Sequence, residues 1–446
     1  MNDYTKDKKQ SLYLLIALIC TMIITALLFN IAGYSYGRYV TILIVAISIF
    51  LSVDHIYCVI IFCLPFASML KLGAATISIL PILYLVVLAK LLFIQRVRVN
   101  NLAFSSVLLI ALLQLIYVIS YGANITSVLS MMLSIVFIMF SASYFRSHTD
   151  EKNSLITTAS IFLLVATALN ILISDIFPDI PYMINYEKQV SLDYDNRFGA
   201  LYVEPNELAQ IILISVGLFV SVFKNISNKT ARVALLCTAL YIAINGIRTN
   251  SKSYVLVALV LIVFSFIMYL AYTAKKKGSG AAILKLLPVL IILVAVSSYF
   301  YASVLAPVFE ERGATGADIL SDRGEVWNNY LSLLMQRLDI LLVGYGIGNV
   351  PNSLKLIGIS TNVVPHNLYI EFVIQFGLIG LFALAIAWTS IWKSISKKAK
   401  TLFLLPILAF AATSLAISAN SSDCLYILLL ILSMPLTDPR ENQSKI

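Results

Sequence analysis

Residues 12–32 read LYLLIALICTMIITALLFNIA, a run without a single charge, close behind the polar opening MNDYTKDKKQ at 1–10. As a helix, such a run spans the ~30 Å hydrocarbon core of a bilayer. No small-residue cleavage site follows the polar flank, so the run reads as a retained membrane helix and not a removed signal peptide. Comparable apolar runs recur near 39–53, 56–70, 74–94, 102–120, 126–145, 154–177, 207–223, 231–246, 253–273, 283–305, 367–392, 401–418 and 424–436. Several are short, and the pair around Ser52-Val53-Asp54-His55 could form a re-entrant hairpin instead. Charged residues make up 12% of the 446, half the ~25% of soluble domains. The sequence therefore predicts an all-α, polytopic transmembrane helical bundle of about 12–14 spans.

Basic residues orient it. With the N-terminus inside, the inner segments carry Lys6, Lys8 and Lys9, Arg96 and Arg98, Arg146 and Lys152. They continue with Lys224, Lys229 and Arg232, Lys275–Lys277 and Lys285, Lys393–Lys400, and Arg440 and Lys445. Most of the 31 basic residues thus fall inside, as topology in membranes requires. The expected organisation is N-terminal spans over 1–177, an outer loop over 178–206, central spans over 207–305, a large, partly helical outer loop over 306–366 and C-terminal spans over 367–446. The +9 net charge is mostly this inner excess and points to contact with membrane lipids, not nucleic acid.

Other function classes find little support. The five cysteines are scattered through apolar runs, giving neither a disulfide framework nor a zinc site, and read as packing residues. GYGIGNV at 344–350 has glycines in GxGxG order but no preceding strand and no sixth-position glycine, which argues against nucleotide binding. Ion-coupled transporters place ionisable groups near the membrane midplane; here the unusual charges gather at the outer ends of helices.

Four outer segments carry them. In DYDNRFGALYVEPNELAQ, Arg197 has no local structural task, whereas Glu204 or Asn206 could cap the helix that Pro205 begins. In NGIRTNSKSYV, Arg248 and Lys252 both breach the positive-inside tendency, which favours an anionic partner; the alternative is two side chains snorkelling in a solvated turn. SDRGEVWNNYLSLLMQ predicts a helix capped by Ser321 or Asp322, with Trp327, Tyr330, Leu331 and Leu334 on one face, lying along the membrane surface. Arg323 in its first turn opposes the helix dipole unless it joins the helix amides in holding an anion. In VVPHNLYIEFVIQFGLIG, His366 and Asn367 stand at the mouth of an apolar helix containing Gly377 and Gly380, where small residues allow close packing. Guanidinium groups bind phosphate oxygens in pairs, and a histidine titrating near ~6.5 can take a hydroxyl proton. Displacement of a phosphate-linked group by an alcohol suits this set.

HN followed by nine residues and GLIG (His366, Asn367, Gly377, Gly380) resembles the signature of the O-antigen ligase and polymerase superfamily. NRFGALYVEPNELA, IRTNSKSYV and SDRGEVW…GYGIG follow in that family's order, so the resemblance covers about 190–390. It implies a membrane-embedded, inverting glycosyltransferase of the GT-C type, with an undecaprenyl-diphosphate-linked glycan as donor and no cofactor or metal. The acceptor would be a glycan or lipid A-core, with a flippase and a chain-length regulator as partners. Carried over, Arg197 and Arg323 hold the leaving diphosphate and His366 activates the acceptor hydroxyl, supported by Glu204, Asn206, Asn367, Gly377 and Gly380. The family's usual Ser-Arg is replaced by Ser251-Lys252, so Arg248 and Lys252 both stand as diphosphate ligands, Arg248 ranked first. Asp193-Tyr194-Asp195 is a competing metal-binding pattern. The expected activity is polymerisation of repeat units into O-antigen or capsule at the outer face of a bacterial inner membrane. The alternatives are a ligase using the same donor, a lipid-linked sugar transporter or flippase, and a structural scaffold.

Overall fold

The computed structural model describes residues 2–32, 37–72, 78–147, 155–181, 198–202, 204–277, 298, 323–360, 363–395, 403–417 and 422–434. Arg197, the Asp193-Tyr194-Asp195 pattern, the span expected at 283–305 and the caps Ser321 and Asp322 lie outside the described residues. Within them the chain is helical, with no strand beyond an isolated bridge between Lys71 and Ser78.

The helices are α1 (Asn2–Ala32), α2 (Gly37–Phe50), α3 (Val53–Cys63), α4 (Ile79–Ala89), α5 (Asn101–Tyr121), α6 (Ile125–Ser147), α7 (Leu155–Ile176) and α8 (Pro205–Val222). There follow α9 (Lys229–Arg248), α10 (Lys252–Lys277), α11 (Arg323–Gln336), α12 (Leu338–Val343), α13 (Val350–Ser353), α14 (Leu368–Ser394), α15 (Leu404–Thr413) and α16 (Ser422–Ser433). Seven helices are long and apolar enough to cross a membrane, and the chain is a multi-pass, all-α membrane protein. The spans expected at 39–53, 56–70, 74–94, 253–273, 401–418 and 424–436 correspond, among the described residues, to shorter apolar helices. At 14 residues α2 reaches only ~21 Å. Ser52 caps α3 through the His55 amide, and Lys90 Nζ donates to the Leu51 carbonyl at 2.5 Å, so the α2–α3 turn is closed by side chains at both helix ends.

The centre is α3, whose residues Ile56 to Cys63 are all essentially buried. Around it α4, α6 and α7 interlock through aromatic contacts such as Tyr84 on Phe137, stacked at 4.2 Å, and α8 packs on α7. The outer helices α1, α5 and α9 instead expose apolar side chains, among them Ile24, Ile31, Leu112, Ile119, Leu240 and Ile244. That inside-out pattern suits lipid as solvent. Cys58, Cys63 and Cys424 pack as expected, but Cys20 and Cys237 sit exposed on α1 and α9 and contribute no core packing. Where lipid removes the hydrophobic drive, buried polar pairs help join helices. Gln210 of α8 donates to Thr413 of α15 at 2.9 Å, and Thr167 meets Ser215 at 3.0 Å.

The second long loop folds onto the bundle as a small unit. Tyr330, Leu333 and Leu334 of α11 bury against Ile340, Tyr345, Val350, Leu354 and Ile374. The face differs from the expected one: Leu331 is exposed, and Leu333 takes its place. Leu331, Met335, Leu338 and Leu342 form an outward apolar stripe instead, because the protein-facing side of α11 is set by Tyr330 packing beneath the run before His366.

Candidate functional site

The site gathers at the end of the bundle where α8, α10, α11 and α14 begin. Asn367 is the N-cap of α14, its Oδ1 accepting from the Tyr369 and Ile370 amides at 3.1 and 3.2 Å. Capping requires the chain to turn sharply after Pro365, and His366 makes that turn with φ +47. A left-handed histidine costs about 1–2 kcal/mol, and the surrounding hydrogen bonds hold it there. The Trp327 indole donates to the Pro365 carbonyl at 2.7 Å, and the Tyr330 hydroxyl to the Val363 carbonyl at 2.7 Å. Both donors belong to α11, which Arg323 heads. Arg323 and Trp327 are four residues apart and so share a helix face, and the Trp327 bond ties the helix that Arg323 heads to the turn bearing the histidine. Burial and the nearby Glu371 carboxylate push the Tyr330 phenol up, so it stays a proton donor across the physiological range.

Glu204 faces His366 from α8, with Oε2 3.9 Å from Nδ1. That is ion-pair reach, beyond a hydrogen bond. The half-buried imidazole thus has a carboxylate within ion-pair reach, an arrangement suited to a general base. Glu204 occupies the N-cap position of α8, but its side chain makes no cap hydrogen bond. Asn206 does not cap either: its Oδ1 accepts from Ser251 Oγ at 2.8 Å, joining the starts of α8 and α10. The expectation that either caps α8 is thus corrected, since each side chain has a longer-range task. Lys252 opens α10 directly after Ser251; its side chain lies outside the described residues.

Arg248 is engaged differently from the expectation. Its guanidinium meets Asp175, at the end of α7, in a bidentate pair of 2.8 and 3.1 Å, and Nη1 also donates to Asn245 at 2.6 Å. The Phe198 ring stacks on it at 4.0 Å, and the Phe198 amide donates to the Arg248 carbonyl at 3.1 Å. Leu201 N–H donates to Asn170 Oδ1 at 3.4 Å. Arg248 thus anchors the segment directly after Arg197, with its fork turned to a carboxylate. Asp175 was not singled out from the sequence because one acid in the last turn of an apolar helix carries no local signal.

The two motif glycines separate. Gly377 has φ +60 and breaks α14 into a kink, and a Cβ there would lie 2.4 to 2.6 Å from the backbone of 342–344. The kink frees the Ile374 and Gln375 carbonyls from their helical donors four residues on. They accept instead from the amides of Tyr345 (2.7 Å) and Gly346 (3.2 Å). GYGIG is therefore a backbone stitch into the kink of α14. A Cβ on Gly380 would meet nothing closer than Phe376 of its own helix, at 3.0 Å, so the expected close helix approach falls on Gly377 alone.

Residues 233–385 match the family model described as O-antigen ligase. The matched segment holds Arg248, Lys252, Arg323, His366, Asn367, Gly377 and Gly380, whereas Arg197, Glu204 and Asn206 precede it. Among curated proteins nothing matches the chain.

Proposed function

We propose that this chain, whose residues 233–385 match the O-antigen ligase family model, belongs to the O-antigen ligase/polymerase superfamily and polymerises undecaprenyl-diphosphate-linked repeat units at the outer face of a bacterial inner membrane. An acceptor hydroxyl attacks the anomeric carbon of the donor sugar and passes its proton to His366, whose imidazolium Glu204 stabilises. The bond from that carbon to the diphosphate oxygen breaks, with inversion. Arg323 and Arg197 stabilise the charge growing on the diphosphate, and Lys252 is the remaining cation of the set. Preorganised charge of this kind is usually the largest catalytic contribution. No step calls for a metal.

The observation that carries the reading is the Trp327–Pro365 hydrogen bond, which ties the helix headed by Arg323 to the turn bearing His366. A diphosphate-binding cation and a base-and-carboxylate pair on one rigid face are what glycosyl transfer from a diphosphate needs. A transporter reading would call for ionisable groups deeper in the bundle. Transfer to lipid A-core uses the same donor and leaving group, and the family description names the ligase, so the acceptor separates the two. The test is surface-polysaccharide length in cells carrying Arg323→Ala or His366→Ala at normal protein levels. Loss of long chains with single repeats still present supports polymerisation. Loss of all glycan on lipid A-core, with long carrier-linked chains retained, supports the ligase, and an unchanged profile overturns both.

A further inference from the structure

A second polar feature lies beside this site and is not used by it. Between α4, α6 and the upper half of α14 is a groove of about 580 Å³, a size suited to a small organic ligand (~300–1,000 Å³). Ser127, Ser130 and Ser134 give it a polar wall at i, i+3 and i+7 on α6; Pro81, Ile82 and Leu85 of α4 give it an apolar one. Ser134 is about 13 Å along α6 from its start at Ile125, so the groove runs down into the bundle. Leu85 and Leu129 on its wall are exposed to the outside of the bundle, so it opens sideways.

Gln375 gives this groove its meaning. Its side chain is only 4% exposed, it lines the groove, and its Oε1 has no hydrogen-bond partner among the described residues. A buried amide oxygen left unpaired carries a desolvation cost that a bound hydroxyl would offset. No described cation lines the groove and Asp423 stands at its edge, so a diphosphate is the wrong occupant. An acyl chain would leave the Gln375 amide oxygen unpaired. A hydroxyl-rich saccharide on a lipid satisfies both walls. The groove also leads toward the reaction: it shares Ser78 and Asp423 with a smaller cavity lined by Lys71, Tyr202 and Glu207. Glu207 is one turn of α8 beyond Glu204, which faces His366.

We infer that this groove is the acceptor subsite, taking the sugar end of a membrane-anchored glycolipid, with hydroxyls on Gln375 and the α6 serines and the lipid leaving between Leu85 and Leu129. The inference rests on the glycosyl transfer proposed above. It is tested by native mass spectrometry of the full chain in nanodiscs, in an Arg323→Ala background that weakens donor capture. The probes are an undecaprenyl-diphosphate oligosaccharide, a lipid A-core glycolipid and plain phospholipid. One of the two saccharide probes is retained, and Gln375→Leu weakens it about tenfold, the worth of one net hydrogen bond. Ser130→Phe, which fills the groove, abolishes retention, with the thermal midpoint of each variant measured to show folding. The carrier-linked probe identifies a polymerase acceptor and the core glycolipid a ligase acceptor. Equal retention of saccharide probes in groove variants, or retention of phospholipid alone, overturns the inference. Turnover of the unmodified chain separates the two proposals. Groove-dependent retention without transfer leaves a saccharide site but overturns both its acceptor role and glycosyl transfer; transfer with an unchanged acceptor KM in Gln375→Leu overturns the groove alone.

Discussion

Replacing Gly377 by alanine attacks the place where the backbone of α14 packs against the backbone of 342–344. The new Cβ would lie 2.4 Å from Val343 C, 2.5 Å from Gly344 N and 2.6 Å from Leu342 O, and backbone cannot rotate aside as a side chain can. The φ of +60 with ψ 177 adds strain of about 1–3 kcal/mol for any residue with a Cβ. Overpacking adds about 1–3 kcal/mol more, so Gly377→Ala should cost about 2–6 kcal/mol or reshape the kink. Either outcome loosens the Tyr345 and Gly346 stitch. Gly380→Ala is the control: its Cβ meets only Phe376 of the same helix, and alanine's helix preference of about 1 kcal/mol offsets that contact. The assay is the thermal midpoint of the detergent-solubilised protein by fluorescence-detected size exclusion, together with polysaccharide length in cells. Gly377→Ala lowers the midpoint by many degrees and abolishes long chains; Gly380→Ala leaves both near normal. Equal effects at the two glycines would refute the backbone-contact reasoning.

Trp327→Phe and Tyr330→Phe each remove one donor to the run before His366, at about 1 kcal/mol per hydrogen bond; both should lower kcat with little change in donor KM, measured in proteoliposomes. Asp175→Ala and Arg248→Ala should be non-additive if the pair acts as one anchor for the Phe198 segment, and a double-mutant cycle on midpoint and activity reads this directly. Fully additive losses would show Arg248 acting apart from Asp175. The Arg337 guanidinium hydrogen-bonded to Asp339 holds that carboxyl below its ordinary range. A depressed carboxylate contributes above its unfolded pKa and loses that contribution as pH falls through the folded one. Asp339→Asn should therefore lower the midpoint slightly at pH 7, by less and less as pH falls through the folded pKa, with the effect shrinking in high salt because the pair is exposed.

The bundle was legible because a charge-free run long enough to cross a bilayer is a local signal, as 12–32 shows, and basic residues repeat the pattern at loop after loop. Span lengths were less so: only the short Ser52-Val53-Asp54-His55 stretch marks the turn between α2 and α3, and composition does not say where each helix ends. His366, Asn367 and Arg323 were readable as a set because motif spacing and helix starts are local too. The Gly377 kink was not, since its partner is the backbone of 342–344, more than thirty residues upstream, and GLIG reads equally well as a straight packed helix. Asp175, and the choice of Leu333 over Leu331, depend on tertiary partners. Helical periodicity leaves adjacent residues such as 330, 331, 333 and 334 nearly interchangeable until the packed face is fixed.

The central claim is that the arginine and histidine ends of this fold perform glycosyl transfer from a diphosphate carrier. The most direct measurement reconstitutes the purified chain in liposomes with an undecaprenyl-diphosphate oligosaccharide and follows free undecaprenyl diphosphate and glycan length together. The account predicts release in step with chain extension, falling at least a hundredfold in His366→Ala and Arg323→Ala, since each removes transition-state stabilisation of about 3 kcal/mol or more. Movement of the carrier lipid across the bilayer without release, or release undiminished in both variants, would contradict it.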